Sequence, residues 1–431
     1  MKILMMTNTY FPIVGGVERS ISSFSDEFRK RGHEVLIAAP TSDGRAPDEE
    51  HVIRVPAMRN FNKTEFSVNL PVPGFIHKLM NVFSPDIVHS HHPFFMGDYA
   101  LRLSRQYRLP LVFTYHTMFE KYVHYLPLHN EKARRFVIEI ARGYANLTQQ
   151  VIAPSQSVRE ILLERGVTVP VAVVPTGIDP ERFAQGGREA FRRQHGIPPD
   201  APVIGHVGRL APEKNPEFLV RCLIELLREE LRVHVLMIGR GPSEQMIRGA
   251  FEQAGLGPRL HLTGFLYNQD LVDAYFAMDV FAFTSLSETQ GVVLLEAMAA
   301  GVPVVAVDSP GVRDTVKDFF NGRLVDECDQ EKFVAALKGL LNCPVEESRK
   351  IARQAQETAR EYSLGSCAGR ILGIYGNLLE KGFAVPEGAD SSWHMFTERI
   401  KAEWDMFKNL VEASEAAVRE RSAREEERVE P

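Results

Sequence analysis

The sequence has few cysteines and no long apolar run. The four cysteines, Cys222, Cys328, Cys343 and Cys367, show neither C-x-x-C nor zinc-site spacing, which favours reduced thiols in the cytosol over a disulfide framework. No apolar run approaches the roughly 20 residues that a membrane-spanning helix needs. The N-terminal segment lacks the apolar core and cleavage site of a secretory signal peptide, so we expect a cytoplasmic protein.

Length and composition indicate an ordinary globular protein of more than one domain. The chain has 431 residues, of which 44% are hydrophobic and 25% are charged. A single core rarely extends over so many residues, so two or three domains are expected. The net charge of −6 disfavours nucleic acid as a partner.

The charge is distributed unevenly along the chain. Residues 51–150 contain 12 Lys and Arg against 6 Asp and Glu, so this region carries +6 and the remainder −12. Such a region favours an anionic partner, for example a phosphorylated ligand or a lipid surface, although solvated surface charge has the same composition. Cations and phenylalanines alternate there, including Arg59, Phe61, Lys63, Phe66, Phe75, Lys78, Phe83, Lys132, Arg134, Arg135 and Arg142.

Short apolar segments alternate with amphipathic segments in the first part of the chain. Continuous apolar strands separated by helices are typical of a parallel sheet that is covered on both faces. Right-handed β–α–β connections then predict a Rossmann-like domain, which we place at residues 1–183. Its expected strands lie at 2–8, 33–40, 51–57, 86–91, 110–116, 149–155 and 171–178, with helices that include 17–33 and 97–108.

A second series of the same kind follows a loop rich in Gly, Arg and Pro near residues 184–202. It predicts a second Rossmann-like domain over 184–364, followed by a helix at 365–382. The segment 383–431 is expected to be a helical, partly disordered tail with an apolar stripe. The expected strands of the second domain lie at 202–209, 233–241, 260–266, 280–285 and 302–309, and its helices at 215–230, 243–255, 268–278, 291–301 and 331–341.

Gly15 and Gly16 lie between the first expected strand and the first expected helix. Glycine lets a backbone approach a ligand closely, and the N–H groups at a helix start can face a phosphate. The spacing is not G-x-G-x-x-G, so a nicotinamide fingerprint is not supported.

Two cations and two carboxylates lie near strand ends in the second series. Arg209 and Lys214 follow its first strand, where open α/β sheets bind ligands. Two cations beside a helix start would suit a diphosphate, although a solvated basic loop has the same residues. Glu288 lies in a turn with Gly291. Glu296 lies in an apolar helix, where a carboxylate needs a partner such as a ribose diol or a salt bridge.

Histidines cluster at two strand ends in the first series. His116 ends the strand at 110–116 and is a candidate contact to a ligand, while His89, His91 and His92 end another strand. A metal site at those three would need carboxylate ligands that are not found nearby. No D-x-D pair occurs in the chain. We therefore expect no metal and no cofactor.

An ordered series of short motifs runs along residues 1–382: GGVE, HSH, TYHT, APS, VVPTGIDPERF, VGRLAPEKN, IGRGP, LTGFL and ETQGVVLLE followed by AMAAGVPVVA. This series resembles glycosyltransferase family 4. The resemblance implies a retaining transferase with the α/β fold called GT-B, in which two Rossmann-like domains face each other across a cleft. The helix at 365–382 resembles one that crosses back onto the first domain.

The resemblance implies a role for each candidate residue. Glu288 should contact the donor sugar and Glu296 the ribose, while Arg209 and Lys214 hold the diphosphate. Gly16 should offer its backbone N–H to the diphosphate, and His116 should orient the sugar. The expected catalytic residues are thus His116, Arg209, Lys214 and Glu288. The expected donor-binding residues are Gly15, Gly16, Arg209, Lys214, Gly264, Glu288, Thr289, Gln290, Gly291 and Glu296.

Thr289 and Gln290 depart from the E-G-F-G that many members carry. Together with YHTMFEKYVHYLP at 115–127, they resemble the diacylglycerol glucosyltransferase branch. The resemblance implies a UDP- or GDP-hexose donor, with UDP-glucose favoured, and a lipid or carbohydrate acceptor. The basic region at 51–150 and the apolar stripe of the tail predict peripheral binding to the anionic inner face of the plasma membrane, although the alternative for the stripe is packing on the first domain. The alternatives are a sugar-nucleotide epimerase or hydrolase of the same architecture, and a non-catalytic nucleotide-sugar-binding protein.

Overall fold

The computed structural model describes residues 1–12, 15–41, 50–58, 68–69, 74–121 and 131–383. The helix and apolar stripe expected in the C-terminal tail therefore lie outside the described residues. Within the described ranges, no helix combines the length and the apolar character needed to cross a bilayer.

The first parallel sheet has seven strands in the order β3-β2-β1-β6-β7-β8-β9. Its central strands are buried because helices cover both faces, and they are apolar except for His89, Ser90 and Thr114 near the carboxyl ends of β6 and β7, and Lys2 at the start of β1. A short antiparallel pair, β4 with β5, lies outside it. The strands are β1 (Lys2–Met6), β2 (Glu34–Pro40), β3 (Val52–Val55), β4 (Ala57–Met58), β5 (Val68–Asn69), β6 (Ile87–Ser90), β7 (Leu111–Thr114), β8 (Gln150–Ala153) and β9 (Val171–Val173). The helices are α1 (Gly16–Lys30), α2 (Phe75–Val82), α3 (Met96–Tyr107), α4 (Glu131–Ala145) and α5 (Gln156–Glu164).

The second parallel sheet has six strands in the order β12-β11-β10-β13-β14-β15. Two apolar clusters, one on each face, form its core. The strands are β10 (Val203–Val207), β11 (His234–Ile238), β12 (Leu260–Gly264), β13 (Val280–Phe283), β14 (Val304–Val307) and β15 (Gly322–Val325). The helices are α6 (Arg188–Gln194), α7 (Pro216–Glu229), α8 (Glu244–Gln253), α9 (Asn268–Phe276), α10 (Val292–Ala299), α11 (Val312–Thr315), α12 (Gln330–Leu341) and α13 (Val345–Glu361).

Each sheet reverses its strand order at one point, between β1 and β6 in the first and between β10 and β13 in the second. Beside such a reversal, the loops at the carboxyl ends of the strands diverge and leave a crevice where ligands bind. The predicted pair of Rossmann-like α/β domains is confirmed. The loops after β1, β6, β10 and β13 border the two crevices.

One further helix, α14 (Leu364–Lys381), follows the second sheet but packs on the first. The chain returns along Ile178, whose backbone exchanges hydrogen bonds with Tyr362 and Leu364. Tyr375 of α14 is fully buried against Phe28 of α1, and its hydroxyl lies 2.6 Å from His89 Nδ1. The second unit is therefore tied to the first by covalent chain and by core packing.

Candidate active site

The turn from β1 to α1 brings the N-terminus of α1, which starts on two glycines, to the first crevice. Gly15 is the N-cap of α1 and supplies no side-chain cap, while the buried Glu18 carboxylate bonds the N–H groups of Gly15 and of Glu18 itself. Burial raises the pKa of Glu18, and these hydrogen bonds oppose the rise. Within the described part of the chain, a Cβ added at Gly16 would meet no atom within 4 Å beyond its chain neighbours. Glu18 thus already satisfies part of this helix start, and Gly16 is the first-turn residue whose backbone N–H we expect to face an anion.

Four histidines occupy the ends of β6 and β7 in the same domain. His89 bonds Tyr375 and Thr114, and the ring of His92 accepts from the backbone N–H of Asn8 at 3.2 Å. His91 Nδ1 lies 2.9 Å from His116 Nε2. Burial lowers the pKa of all four imidazoles, so the cluster is neutral near pH 7.

Lys214 and Glu288 form an ion pair at the second crevice. Lys214 ends the 3-10 turn after β10, and Glu288 lies in the loop after β13. Burial raises the pKa of Glu288, but the Lys214 ammonium, a hydrogen bond from Ser285 and the charge of His206 together hold it below its usual value. Glu288 is therefore an anion at neutral pH, and it holds the Lys214 ammonium at the crevice.

Hydrogen bonds join the two loops that carry this pair. The Thr284 hydroxyl donates to the carbonyls of Lys214 and Asn215 at 3.2 Å each, and Ser287 donates to Glu213 O at 3.1 Å. Arg209 lies at the start of the first loop, with its Nη1 3.9 Å from Glu213 Oε1. Both predicted cations thus lie on one loop at the reversal point.

Gly264 ends β12 at the same edge of the second sheet. Its φ of +74° favours glycine, and its carbonyl accepts a hydrogen bond from Gly239 N–H at 2.8 Å. A Cβ on Gly239 would lie 1.9 Å from Gly208 O. The backbones at the carboxyl ends of β10, β11 and β12 therefore pack directly against one another. Gly264 is thereby linked to the loop of Arg209.

Glu296 is buried within α10 and has a protein partner from each domain. Its Oε2 accepts from the Tyr275 hydroxyl at 2.7 Å, and its Oε1 lies 3.6 Å from Nη1 of Arg19 in α1. Burial and the adjacent carboxylate raise the pKa of Tyr275 well above its usual value, so this phenol remains a donor. The sequence left two partners open for Glu296, a salt bridge and a ribose diol. The ion pair with Arg19 is present, and the ribose contact stays a prediction.

The turn that precedes α10 spans the cleft between the domains. Gln290 accepts from Thr176 N–H at 2.6 Å and donates to Thr176 O at 2.7 Å, while the Thr289 hydroxyl donates to His116 O at 2.9 Å. Gly291 closes the turn with φ +74°. The Thr289 and Gln290 side chains therefore hold the domains together, which leaves the main chain of this turn for a ligand.

The predicted residues fall into two groups that face each other. Gly15, Gly16 and His116 come from the first domain. The Thr289–His116 bond places the turn after Glu288 against His116, and the Arg19–Glu296 pair places α1 against α10. Sequence reasoning missed Arg19, Thr176 and Tyr275. Arg19 could have been found because it lies one helical turn after Gly16. Nothing in the local sequence pattern marks Thr176 as a contact of Gln290 across the cleft, or Tyr275 as a contact of Glu296.

Among the residues that the structure describes, no group of three or more His, Cys, Asp or Glu side chains is arranged to hold a metal ion. His89, His91 and His92 instead direct their ring nitrogens to separate neighbours.

Two family profiles match the chain. One, described as "Glycosyltransferase Family 4", matches residues 14–182, and the other, "Glycosyl transferases group 1", matches residues 187–358. Together they cover every strand of the two parallel sheets except β1.

Named relatives are of similar length. An alpha-monoglucosyldiacylglycerol synthase of Streptococcus pneumoniae is 30% identical over 75% of this chain and 75% of its own length. A GDP-mannose-dependent alpha-mannosyltransferase of Mycobacterium tuberculosis is 31% identical over 75% of this chain and 83% of its own. Among solved structures, sucrose-phosphate synthase of Thermosynechococcus elongatus superposes with a TM-score of 0.74 at 20% identity, covering 89% of this chain and 100% of that one. These structural neighbours establish the fold as GT-B.

Proposed function

This chain belongs to glycosyltransferase family 4, and on that premise we propose that it moves a hexose from a nucleotide sugar, with UDP-glucose favoured, to a lipid such as diacylglycerol. It is an enzyme, a glycosyltransferase. The relative named for monoglucosyldiacylglycerol supports a lipid acceptor, and relatives named for GDP-mannose at comparable identity make GDP-mannose the rival donor.

One observation carries this proposal. The glycine-containing start of α1 lies on the first domain, and the ion pair of Lys214 with Glu288 lies on the second. The bond between Thr289 and His116 joins the two domains. A helix start and cations suit a diphosphate, and a carboxylate suits sugar hydroxyls. We therefore expect the diphosphate to bind near Gly16 and Lys214 and the sugar to bind near Glu288.

The proposed chemistry requires stabilisation of the leaving group. When the bond between the anomeric carbon and the diphosphate breaks, negative charge grows on the phosphate oxygens. Lys214, Arg209 and the Gly16 N–H would stabilise that charge from fixed positions, and such stabilisation is usually the largest catalytic contribution. We propose retention of anomeric configuration, with the acceptor attacking from the face that the leaving diphosphate occupies; NMR of the product linkage tests this directly.

The glycine pair offers a test of close approach by the donor. Gly16→Ala adds a methyl group that meets no atom of the described residues within 4 Å beyond its chain neighbours, so we expect folding to be unaffected. If the diphosphate lies there, displacing it by about 1 Å should lower kcat/KM by about 10²-fold. Steady-state kinetics with varied donor measures the effect.

Gly249→Ala is the matched control, because it also adds a methyl to open space within a helix. It should leave kcat/KM unchanged. Normal kinetics for Gly16→Ala would place the donor elsewhere.

Removal of metal ions should not abolish turnover. The expected charge partners of the diphosphate are Arg209 and Lys214, and the sequence has no D-x-D pair to hold a metal-bound diphosphate. We expect the rate of transfer in excess EDTA to stay within about threefold of the untreated rate. This change is much smaller than the fall in kcat caused by removing a preorganised partner of the developing charge. Loss of activity that Mg²⁺ or Mn²⁺ restores would contradict this expectation.

Exposed cations on the first domain support peripheral binding to an anionic membrane. They lie on or next to helices of that domain: Lys78, Arg102, Arg108, Arg134 and Arg135. Anionic headgroups attract such residues by about 1 kcal/mol for each well-placed cation. The other cations of the basic region, Arg59 and Lys63 among them, lie outside the described residues.

Liposome flotation tests this surface. Binding to vesicles of anionic lipid should fall as salt rises, since exposed charges are screened beyond about 10 Å at 0.1 M. The triple variant Lys78→Glu, Arg134→Glu, Arg135→Glu should abolish binding. The control triple Arg221→Glu, Arg228→Glu, Lys350→Glu makes the same charge change on exposed helices of the second domain and should still float. Equal flotation of both variants, or none by the wild type at low salt, would contradict the membrane proposal but leave the glycosyltransferase assignment intact.

A further inference from the structure

His91 and His116 form a histidine pair whose geometry goes beyond the role predicted for His116 alone. Their nitrogens Nδ1 and Nε2 lie 2.9 Å apart, while the ring centroids are 5.1 Å apart and the planes differ by 25°. The rings therefore lie end to end in nearly one plane, which is the arrangement of a direct N–H···N hydrogen bond.

The position of His91 is fixed by its surroundings. Its backbone N–H donates to Met6 O at 2.9 Å, and the His89 ring lies against its own ring at a centroid distance of 4.2 Å. The His91 side chain is buried, whereas His116 is partly exposed. His91 is thus a rigid support, and His116 is the member that a ligand in the cleft can reach.

Burial and the neighbouring imidazoles lower the pKa of both rings, so both are neutral near pH 7. A neutral imidazole carries one N–H and one bare nitrogen. The hydrogen bond between the rings therefore contains one proton, and the ring that donates it determines the tautomer of the other.

The second nitrogen of His91 indicates which ring donates. His91 Nε2 is buried and has no hydrogen-bond partner within the described part of the chain. A buried N–H without a partner is rarer in proteins than an acceptor without one. The favoured arrangement therefore leaves Nε2 bare and puts the proton of His91 on Nδ1, from which it is donated to His116 Nε2.

We propose that His91 is a positioning residue that holds His116 as the tautomer protonated on Nδ1, so that His116 offers an N–H donor, and not a basic nitrogen, to a hydroxyl of the donor sugar. The second half of this statement rests on the proposed function, because it assumes that a sugar reaches His116. The first half concerns the protein alone. Within the described residues, His116 Nδ1 has no other partner, so it is the nitrogen available to a ligand.

The tautomer can be measured without any substrate. Long-range ¹H–¹⁵N correlation spectra of protein labelled with ¹⁵N-histidine distinguish a proton on Nδ1 from one on Nε2, and comparison with His116→Gln assigns the signal. We expect His116 to be protonated on Nδ1 in the wild type. A dominant Nε2–H form would overturn the proposal, whatever the enzyme transfers.

Three variants then connect the tautomer to activity. His91→Asn retains an amide N–H donor near the position of Nδ1 and should keep the Nδ1–H signal of His116 and activity within about threefold. His91→Leu removes the donor and should lower kcat by about 10–100-fold, the range typical of groups that orient a functional histidine. His234→Leu is the control, because His234 Nδ1 lies 2.9 Å from His261 Nε2 in a similar pair at the amino ends of β11 and β12. It should leave kcat unchanged.

The outcomes separate the two ideas. If His91→Leu and His91→Asn lose activity equally while both melt at the wild-type temperature, the hydrogen bond is not what matters and the positioning role is wrong. If His91 controls the tautomer but His116→Ala transfers sugar normally, the tautomer inference stands and the sugar contact of His116 fails.

Discussion

Replacing Lys214 with alanine should lower kcat by about 10²–10³-fold, the loss typical when one preorganised partner of a developing charge is removed. Arg209→Ala should have an effect of the same order. Both side chains belong to one loop after β10, and in the absence of donor the Lys214 ammonium is held by the buried Glu288 carboxylate. Steady-state kinetics with saturating acceptor measures the change.

Two surface pairs provide controls for these variants. Lys338 pairs with Glu229, and Arg248 pairs with Glu244, both on helices of the second domain. Lys338→Ala and Arg248→Ala should keep kcat within about twofold, because exposed ion pairs contribute little. Turnover within a few-fold of wild type for both Lys214→Ala and Arg209→Ala would exclude a diphosphate clamp on this loop.

The largest loss of stability is expected at Arg192, which is 1% exposed. Its guanidinium donates to the carbonyls of Ala277, Pro199 and Ala201 and to Asp279 at distances between 2.7 and 3.0 Å. Arg192→Met would remove the guanidinium from the three carbonyls, although Asp279 would keep its bonds from Arg188 and from Val203 N–H. Breaking such a buried ionic network costs about 3–5 kcal/mol of unfolding free energy.

Urea denaturation followed by circular dichroism tests this expectation. Arg193→Met is the matched control, because Arg193 is the exposed neighbour on α6 and should be neutral within about 0.5 kcal/mol. A midpoint for Arg192→Met that equals that of the control would show that the carbonyls find other donors.

The architecture could be predicted from the sequence because parallel strands have a strong local signature. Runs such as that of β14, Val304–Val307, are apolar throughout since both faces are buried, and the helices between them repeat at helical spacing. Four elements of the second domain were missed, namely the short helices α6 and α11, the strand β15 and the helix α13. β15 includes Arg323 and is only half apolar, and α13 is so polar that few of its residues mark a buried face.

Strand ends were less accurately predicted than strand centres. The segment 171–178 was expected to be strand throughout, yet β9 ends at Val173. Thr176 and Ile178 are extended but bond Gln290, Tyr362 and Leu364 in place of a strand. Contacts with residues more than 100 positions away determine this segment, and local patterning carries no information about them.

The candidate site could be predicted only in part for the same reason. Gly16, Arg209, Lys214 and Glu288 lie at strand ends, where topology alone indicates ligand contact. The Glu296 carboxylate was recognised as needing a partner, but its bond to Tyr275 and its proximity to Arg19 depend on how the two domains approach each other. The His91–His116 pair likewise joins two strand ends that are separate in sequence but adjacent in the sheet.

The central claim is most directly tested by incubating the wild-type enzyme with labelled UDP-glucose, other UDP-hexoses and GDP-mannose, each with and without diacylglycerol vesicles. The proposed function predicts that one donor, with UDP-glucose favoured, yields a labelled glycolipid and an equal amount of nucleoside diphosphate only when the acceptor is present. Consumption of donor at the same rate without any acceptor would instead indicate a hydrolase or epimerase. Binding of donor with no turnover under any condition would indicate a nucleotide-sugar-binding protein, and either result would contradict the proposed transfer.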